Sequence, residues 1–318
     1  MTGKDGLSPS FVETVAGFTA GIVSTLCLHP LDLIKTRLQV DRSSPSSRFG
    51  GSLRVIRDIS HHEGGITAFY RGLTPNLIGN STSWGLYFLC YGNIKDAIRT
   101  FRGSEGWELT SADYFLASGS AGMATSILTN PIWVIKTRML STGSQTPGAY
   151  ASFTTGAMQI LRSEGVVGFY RGLLPALFGV SHGALQFMAY EKLKVYRSSR
   201  PAVLFAASGH DDNHDVSNAR RKLGNLDFFL VSSLSKIFAG CVTYPYQVLR
   251  SRLQVYDAHL VYRGAWDAMA QIWAKEGLAG FYKGLGPNIF RVLPSTWVTF
   301  LVYENIKAYL PSLASNVK

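Results

Sequence analysis

The sequence predicts an all-α membrane protein of three tandem repeats, each about 100 residues long, with six transmembrane helices. Three observations predict it. Apolar residues make up 46% of the 318 and charged residues only 16%, against roughly 25% charged in ordinary soluble domains. Three sequence motifs each occur three times, in an order that never changes. Each repeat also carries two apolar stretches long enough for the roughly 20 residues a membrane span needs.

The first motif reads "HPLDLIKTRL" at 29–38, "NPIWVIKTRM" at 130–139 and "YPYQVLRSRL" at 244–253. Its prolines, Pro30, Pro131 and Pro245, lie near the far ends of the stretches 11–38, 112–140 and 227–253 and predict helix kinks there. Two residues after the proline stand Asp32, Trp133 and Gln247, and three further on the bases Lys35, Lys136 and Arg250. A spacing of three puts each such pair on one helix face. A second base follows two residues later.

The second motif is "EGGITAFYRG" (63–72), "EGVVGFYRG" (164–172) and "EGLAGFYKG" (276–284). Before it runs a polar segment with a short amphipathic helix, such as "SLRVIRDISHHEG". The even-numbered spans, 74–98, 174–197 and 287–309, carry the third motif: "YGNIK", "YEKLK" and "YENIK". The repeats therefore occupy 1–105, 106–200 and 226–318, with a polar linker at 201–225. Six spans put both termini on one side. Small residues four apart, Gly17 with Gly21 and Ser118 with Gly122, predict close helix packing. In the third repeat those positions hold Ser232 and Lys236.

A formal charge of +11 suits nucleic acid, an anionic membrane or an anionic solute. No nucleic-acid module is present, which leaves the last two. Cys27, Cys90 and Cys241 fall in apolar stretches and read as small core residues. "HDDNHD" in the linker reads as a solvated loop, so no metal site is expected. "NST" at Asn80 matches a glycosylation sequon but lies inside a predicted span. The N-terminal residues show neither a secretory signal nor an Arg-rich presequence. With no phosphate-cradling loop and no nucleophile beside a base, an enzyme is not expected.

Nine motif copies in register, over nearly the whole chain, resemble the mitochondrial carrier family. The resemblance implies a pseudo-threefold bundle of six helices around a central cavity, with short matrix helices. It implies a multi-pass monomer of the mitochondrial inner membrane, working by alternating access between two salt-bridge gates. For the matrix gate it implies Asp32 with Lys136, Trp133 with Arg250 and Gln247 with Lys35, braced by Gln39 and Gln254. For the cytoplasmic gate it implies Glu191 with Lys307 and Glu304 with Lys95, while Lys194 faces Gly92 and lacks an acid. Cardiolipin at the matrix helices is a further implication, since helix N-termini attract phosphate.

The family's substrate contact points fall here on Gly79–Asn80, Gly179–Val180 and Arg291. Glycine would let a flat ring approach the backbone, and helix packing explains the same glycines equally well. Arg291 offers a fixed charge to an anion. Lys236, a charge inside a span, is functional by default. Trp84 and Tyr87 suit either a stacked ring or helix packing. "NPIW" resembles the branch that carries FAD, folate, NAD and pyrimidine nucleotides, with FAD the first expectation as transported substrate. In that pose Arg291 and Lys236 meet the pyrophosphate and Gly179–Val180 the adenine. An uncoupling-type proton leak protein is the rival on this fold, and the nucleotide-like contact point and Trp133 speak against it.

Overall fold

The computed structural model describes residues 9–42, 50–101, 109–143, 149–198 and 225–316. The "HDDNHD" segment and most of the expected linker lie outside them. The described residues form helices in this order: α1 (Pro9–Val40), α2 (Gly50–His62), a 3-10 segment (Gly65–Tyr70), α3 (Leu73–Phe101), α4 (Ser111–Ser141), α5 (Phe153–Gly168), α6 (Leu173–Phe178), α7 (Ser181–Ser198), α8 (Asn225–Gln254), α9 (Ala258–Val261), α10 (Ala265–Gly280) and α11 (Leu285–Asn316). No strand occurs among them. The chain divides into two compact units, Met1–Val180 with Tyr244–Lys318, and Ser181–Thr243.

In the first unit α1 packs along α11, and α3 along α4. Small side chains let these helices approach, but one residue away from the expected glycines. Val12, Ala16 and Ala20 are buried on α1, and Ala117 and Ala121 on α4. A Cβ at Gly17 or Gly21 would meet nothing within 4 Å. On α1 the alanines carry the packing stripe and Gly17 and Gly21 lie beside it, whereas on α4 a Cβ at Gly122 would come within 3.2 Å of Val180. Lys236, at the position matching Gly21, lies in the second unit and is half-buried.

Only two helices, Val12–Val40 and Asp227–Gln254, are apolar enough along their length to qualify as spans on composition alone; a third would be the pair Phe153–Gly168 and Leu173–Ser198, bent by 76°. Six such spans were expected from the sequence. The remaining long helices fall short because they carry polar residues such as Asn76, Asn80, Lys95 and Arg291 within their length. The fourth stretch is also interrupted. Gly179 and Val180 separate α6 from α7, and their N–H groups donate to the carbonyls three residues back, of Ala176 and Leu177.

Each proline-motif helix buries its end against a short amphipathic helix or its connecting loop. Leu33 packs with Ile59 and Ala68, Ile135 and Met139 with Tyr150 and Ile160, and Leu253 with Ala258, Tyr262 and Ala268. The last glycine of the second motif turns the chain into the next helix. Gly72, Gly172 and Gly284 have φ of 75°, 70° and 82°, a region that side chains other than glycine rarely adopt. At Gly284 a Cβ would also stand 2.9 Å from the Lys35 carbonyl.

Candidate functional site

The second base of the proline motif joins the three repeats. Arg37 Nε donates to the Leu140 carbonyl at 2.7 Å, Arg138 Nε to Gln254 at 3.0 Å and Arg252 Nε to Gln39 at 2.9 Å. Each guanidinium also forks onto the glutamate that opens its own second motif: Arg37 onto Glu63, Arg138 onto Glu164 and Arg252 onto Glu276. Arg138 and Arg252 are almost wholly buried. The residue before each proline adds a second tie. His29 Nε2 lies 2.9 Å from the Arg71 carbonyl, Asn130 Nδ2 donates to the Phe169 carbonyl at 2.7 Å, and the Tyr244 hydroxyl to the Lys283 carbonyl at 3.1 Å. The sequence reading gave none of these residues a role, although their recurrence at fixed offsets was the available signal.

One helical turn away lies the layer expected to form a gate. Lys35 Nζ donates to Gln247 Oε1 at 3.1 Å. Trp133 faces two cations, with Lys136 Nζ 4.9 Å and the Arg250 guanidinium 5.8 Å from its ring. A ring face attracts cations electrostatically, so the indole stands where an acid would have been. The expected Asp32–Lys136 pair does not form. Asp32 pairs instead with Arg291 of α11. The reason is packing: α1 lies along α11, and the long guanidinium side chain reaches the carboxylate while Lys136 folds onto its own helix's indole. Gln39 Oε1 accepts from Ser251 at 2.8 Å, and Gln254 Oε1 from Thr137 at 2.8 Å. Each glutamine thus bonds a neighbouring helix rather than an ion pair.

Above this layer in the first unit is a cavity of about 280 Å³ lined by Asp32, Asn76, Asn80, Trp133, Lys136 and Arg291, among others. Of the expected substrate residues, Asn80 and Arg291 line it. Gly79 is explained by packing, since a Cβ there would come within 3.2 Å of Ile132 and 3.5 Å of Trp133. Tyr87 bonds Ser118 at 2.9 Å and stacks on Tyr91, and Trp84 stacks on Phe88. Gly179 approaches the Tyr246 ring, and Val180 packs on Gly122. In the second unit Lys236 has no ion-pair or hydrogen-bond partner among the described residues.

The third motif makes the same local contact in each repeat. Lys95, Lys194 and Lys307 each lie 5.7–5.8 Å from the ring of a tyrosine four residues earlier, Tyr91, Tyr190 and Tyr303. Lys307 approaches Glu13 and Glu191 approaches Lys194, both at 3.8 Å. The expected Glu304–Lys95 pair is absent, and Glu304 has no ion-pair partner among the described residues.

Three helical repeats, a cationic layer and a cavity above it define the class: a helical membrane carrier. The family model for mitochondrial carrier proteins matches residues 8–102, 108–200 and 221–313, and the chain belongs to that family. Its members are transporters rather than enzymes. The chain is 38% identical over 315 residues to the mitochondrial FAD carrier protein of Saccharomyces cerevisiae, covering 94% of this chain and 97% of the relative. It is 38% identical over 299 residues to the mitochondrial nicotinamide adenine dinucleotide transporter 2 of Arabidopsis thaliana, covering 91% and 77%. It is 33% identical over 300 residues to the chloroplastic folate transporter 1 of the same plant, covering 92% and 94%.

Proposed function

We propose that the protein carries FAD across the mitochondrial inner membrane. The observation that carries this reading is the charge of the layer beneath the cavity. Four cationic side chains, Lys35, Lys136, Arg250 and Arg291, stand there with one carboxylate, Asp32. Such a surplus favours a ligand with more than one negative charge. Trp133 gives a flat ring beside it, and the yeast relative's name supplies the particular solute. Lys236 and the Gly179–Val180 pair are offered as further contacts for an anionic dinucleotide. On this reading the protein is a monomer, cardiolipin binds at its short matrix helices, and the joined layer is the matrix gate. A second reading, NAD, is favoured by the plant relative of equal identity.

The test is uptake of labelled FAD, NAD, folate and UTP into liposomes holding the purified protein, with and without internal solute. Saturable FAD uptake that exceeds the others supports the reading. Uptake of NAD alone moves the substrate, and uptake of none in a folded protein overturns both readings.

The weakness of the gate also makes a prediction. Trp133→Asp and Gln247→Glu would each place a carboxylate before a base, Arg250 or Lys35. A new ion pair of about 1–2 kcal/mol in the joined state slows opening by roughly five- to thirtyfold. Initial rates of exchange measure this, and unchanged rates in both variants would sink the idea.

A further inference from the structure

A chain of hydrogen bonds runs from the cavity to the second motif, and its chemistry fixes its direction. It begins at the Arg71 carbonyl, which can only accept. His29 Nε2, 2.9 Å away, must therefore carry the proton. In the neutral ring Nδ1 is then an acceptor. Asn76 Nδ2 lies 3.2 Å from it and supplies the donor. That leaves Asn76 Oδ1 to accept from Asn80 Nδ2 at 3.3 Å. His29 and Asn76 are buried, so water does not compete along the chain. Asn80 is its last member and lines the cavity. One of its two amide N–H groups is committed inward, which fixes the orientation of the amide, and its Oδ1 has no hydrogen-bond partner among the described residues.

We propose that the His29–Asn76–Asn80 chain makes Asn80 a hydrogen-bond acceptor for the transported solute, so that this side of the cavity selects a ring bearing an N–H donor. The proposal rests on the reading of the protein as a carrier of anionic planar solutes and deepens it. Arg291 then recognises charge while Asn80 recognises ring chemistry. Asn80 touches the solute, whereas His29 and Asn76 are positioning residues. FAD offers two such donors, the exocyclic amine of adenine and the N3–H of the isoalloxazine.

The other repeats separate this role from a structural one. Asn130 and Tyr244 occupy the His29 position, and both donate to the backbone of their own second motif. The position matching Asn76 in the third repeat is also asparagine, Asn288. The ring stacking is shared too, His29 on Tyr70 and Tyr244 on Tyr282, both at 6.2 Å between centroids. His29→Tyr therefore keeps the backbone tie in a form this fold already uses. It removes the ring-nitrogen acceptor, so the Asn76 amide, and with it Asn80, is free to turn over.

The experiment measures inhibition of labelled FAD uptake in liposomes by two analogues. One replaces the adenine 6-amino group with hydrogen, the other replaces the isoalloxazine N3–H with N–CH3. Wild type should bind one of them roughly three- to tenfold more weakly than FAD, the worth of a single neutral hydrogen bond, and which one identifies the ring. In Asn80→Ala and in His29→Tyr that preference should fall below twofold, with the thermal midpoint of His29→Tyr close to wild type. Equal affinity for FAD and both analogues in wild type, or an undiminished preference in His29→Tyr, overturns the inference. Absence of FAD uptake by wild type is instead a failure of the FAD reading. The comparison is then run on the solute that is taken up, NAD with its 6-hydrogen analogue or folate with its 2-deamino analogue, and judged by the same two criteria.

Discussion

Arg291→Ala should reduce the kcat/KM of FAD uptake at least about thirtyfold while leaving a folded protein. Truncating one partner of a buried, hydrogen-bonded charge pair costs roughly 2–5 kcal/mol or more; the Arg291 side chain is 35% exposed, so the low end applies, which corresponds to about thirtyfold. Two losses combine. The solute loses its guanidinium, and Asp32, no longer neutralised, turns its carboxylate toward an incoming anion. Asp32→Asn should act in the opposite direction on binding, because Arg291 is then released to the solute and KM falls. Arg291→Ala with Asp32→Asn should recover part of the single variant's loss, since only the repulsion is removed. Arg291→Lys should fall between wild type and alanine, keeping charge but not the two-pronged geometry. Uptake by Arg291→Ala equal to wild type would refute a role in recognition. A double variant no better than the single would show that Asp32 repulsion contributes nothing.

On the proposed function, the Asp32–Arg291 pair makes recognition and gating share one side chain. A solute phosphate can engage Arg291 fully only as Asp32 lets go. Asp32 belongs to the joined layer, so on the proposed reading of that layer as a gate, binding loosens it. A solute with no differential affinity for the two arrangements would shift nothing, and the competition for Arg291 is where this structure offers that difference.

How much of this was legible in the sequence follows from what repeats can and cannot reveal. Threefold recurrence identifies the residues that every repeat uses for the same task, which is why the helices and their motif ends were readable. It does not say which task. Arg138 and Arg252 were visible as second bases, but only the fold shows that each spans to the backbone of another repeat. Spacing along one helix also cannot fix the rotation of that helix, so the packing stripe fell on Gly17 and Gly21 instead of Ala16 and Ala20. Asp32 was assigned to Lys136 because the family resemblance pairs the acid of one repeat with the base of the next. Arg291 has no counterpart at its position in the other repeats, where Gly79 and Gly179 stand. The pattern therefore had no means of announcing a contact that breaks it. The same holds for His29, Asn76 and Asn80, a chain that only the first repeat completes.

The largest effect on stability should come from Arg138→Ala. Its side chain is fully buried and satisfies four acceptors at once: both Glu164 oxygens at 2.5 and 3.1 Å, the Tyr150 hydroxyl at 3.0 Å and the Gln254 carbonyl at 3.0 Å. Breaking a buried ion pair from one side costs roughly 3–5 kcal/mol, a fall of about 6–20 °C in the thermal midpoint of the detergent-solubilised protein. Arg138→Lys should recover little of it, because an ammonium cannot span the carboxylate and the carbonyl together. Acid offers a second view of the same contact. Burial alone would raise the Glu164 carboxyl, but hydrogen bonds from Arg138 and Arg171 outweigh it and hold the group below its ordinary value of 4.5. A depressed carboxyl contributes stability that is complete above its unfolded value and is lost as pH falls through the folded one. Wild type should therefore lose thermal stability as the pH drops below about 4.5. Arg138→Ala, which keeps only Arg171 on Glu164, should lose less over the same interval. An unchanged midpoint at neutral pH, or parallel acid curves for the two proteins, would mean that the arginine ring does not hold the repeats together.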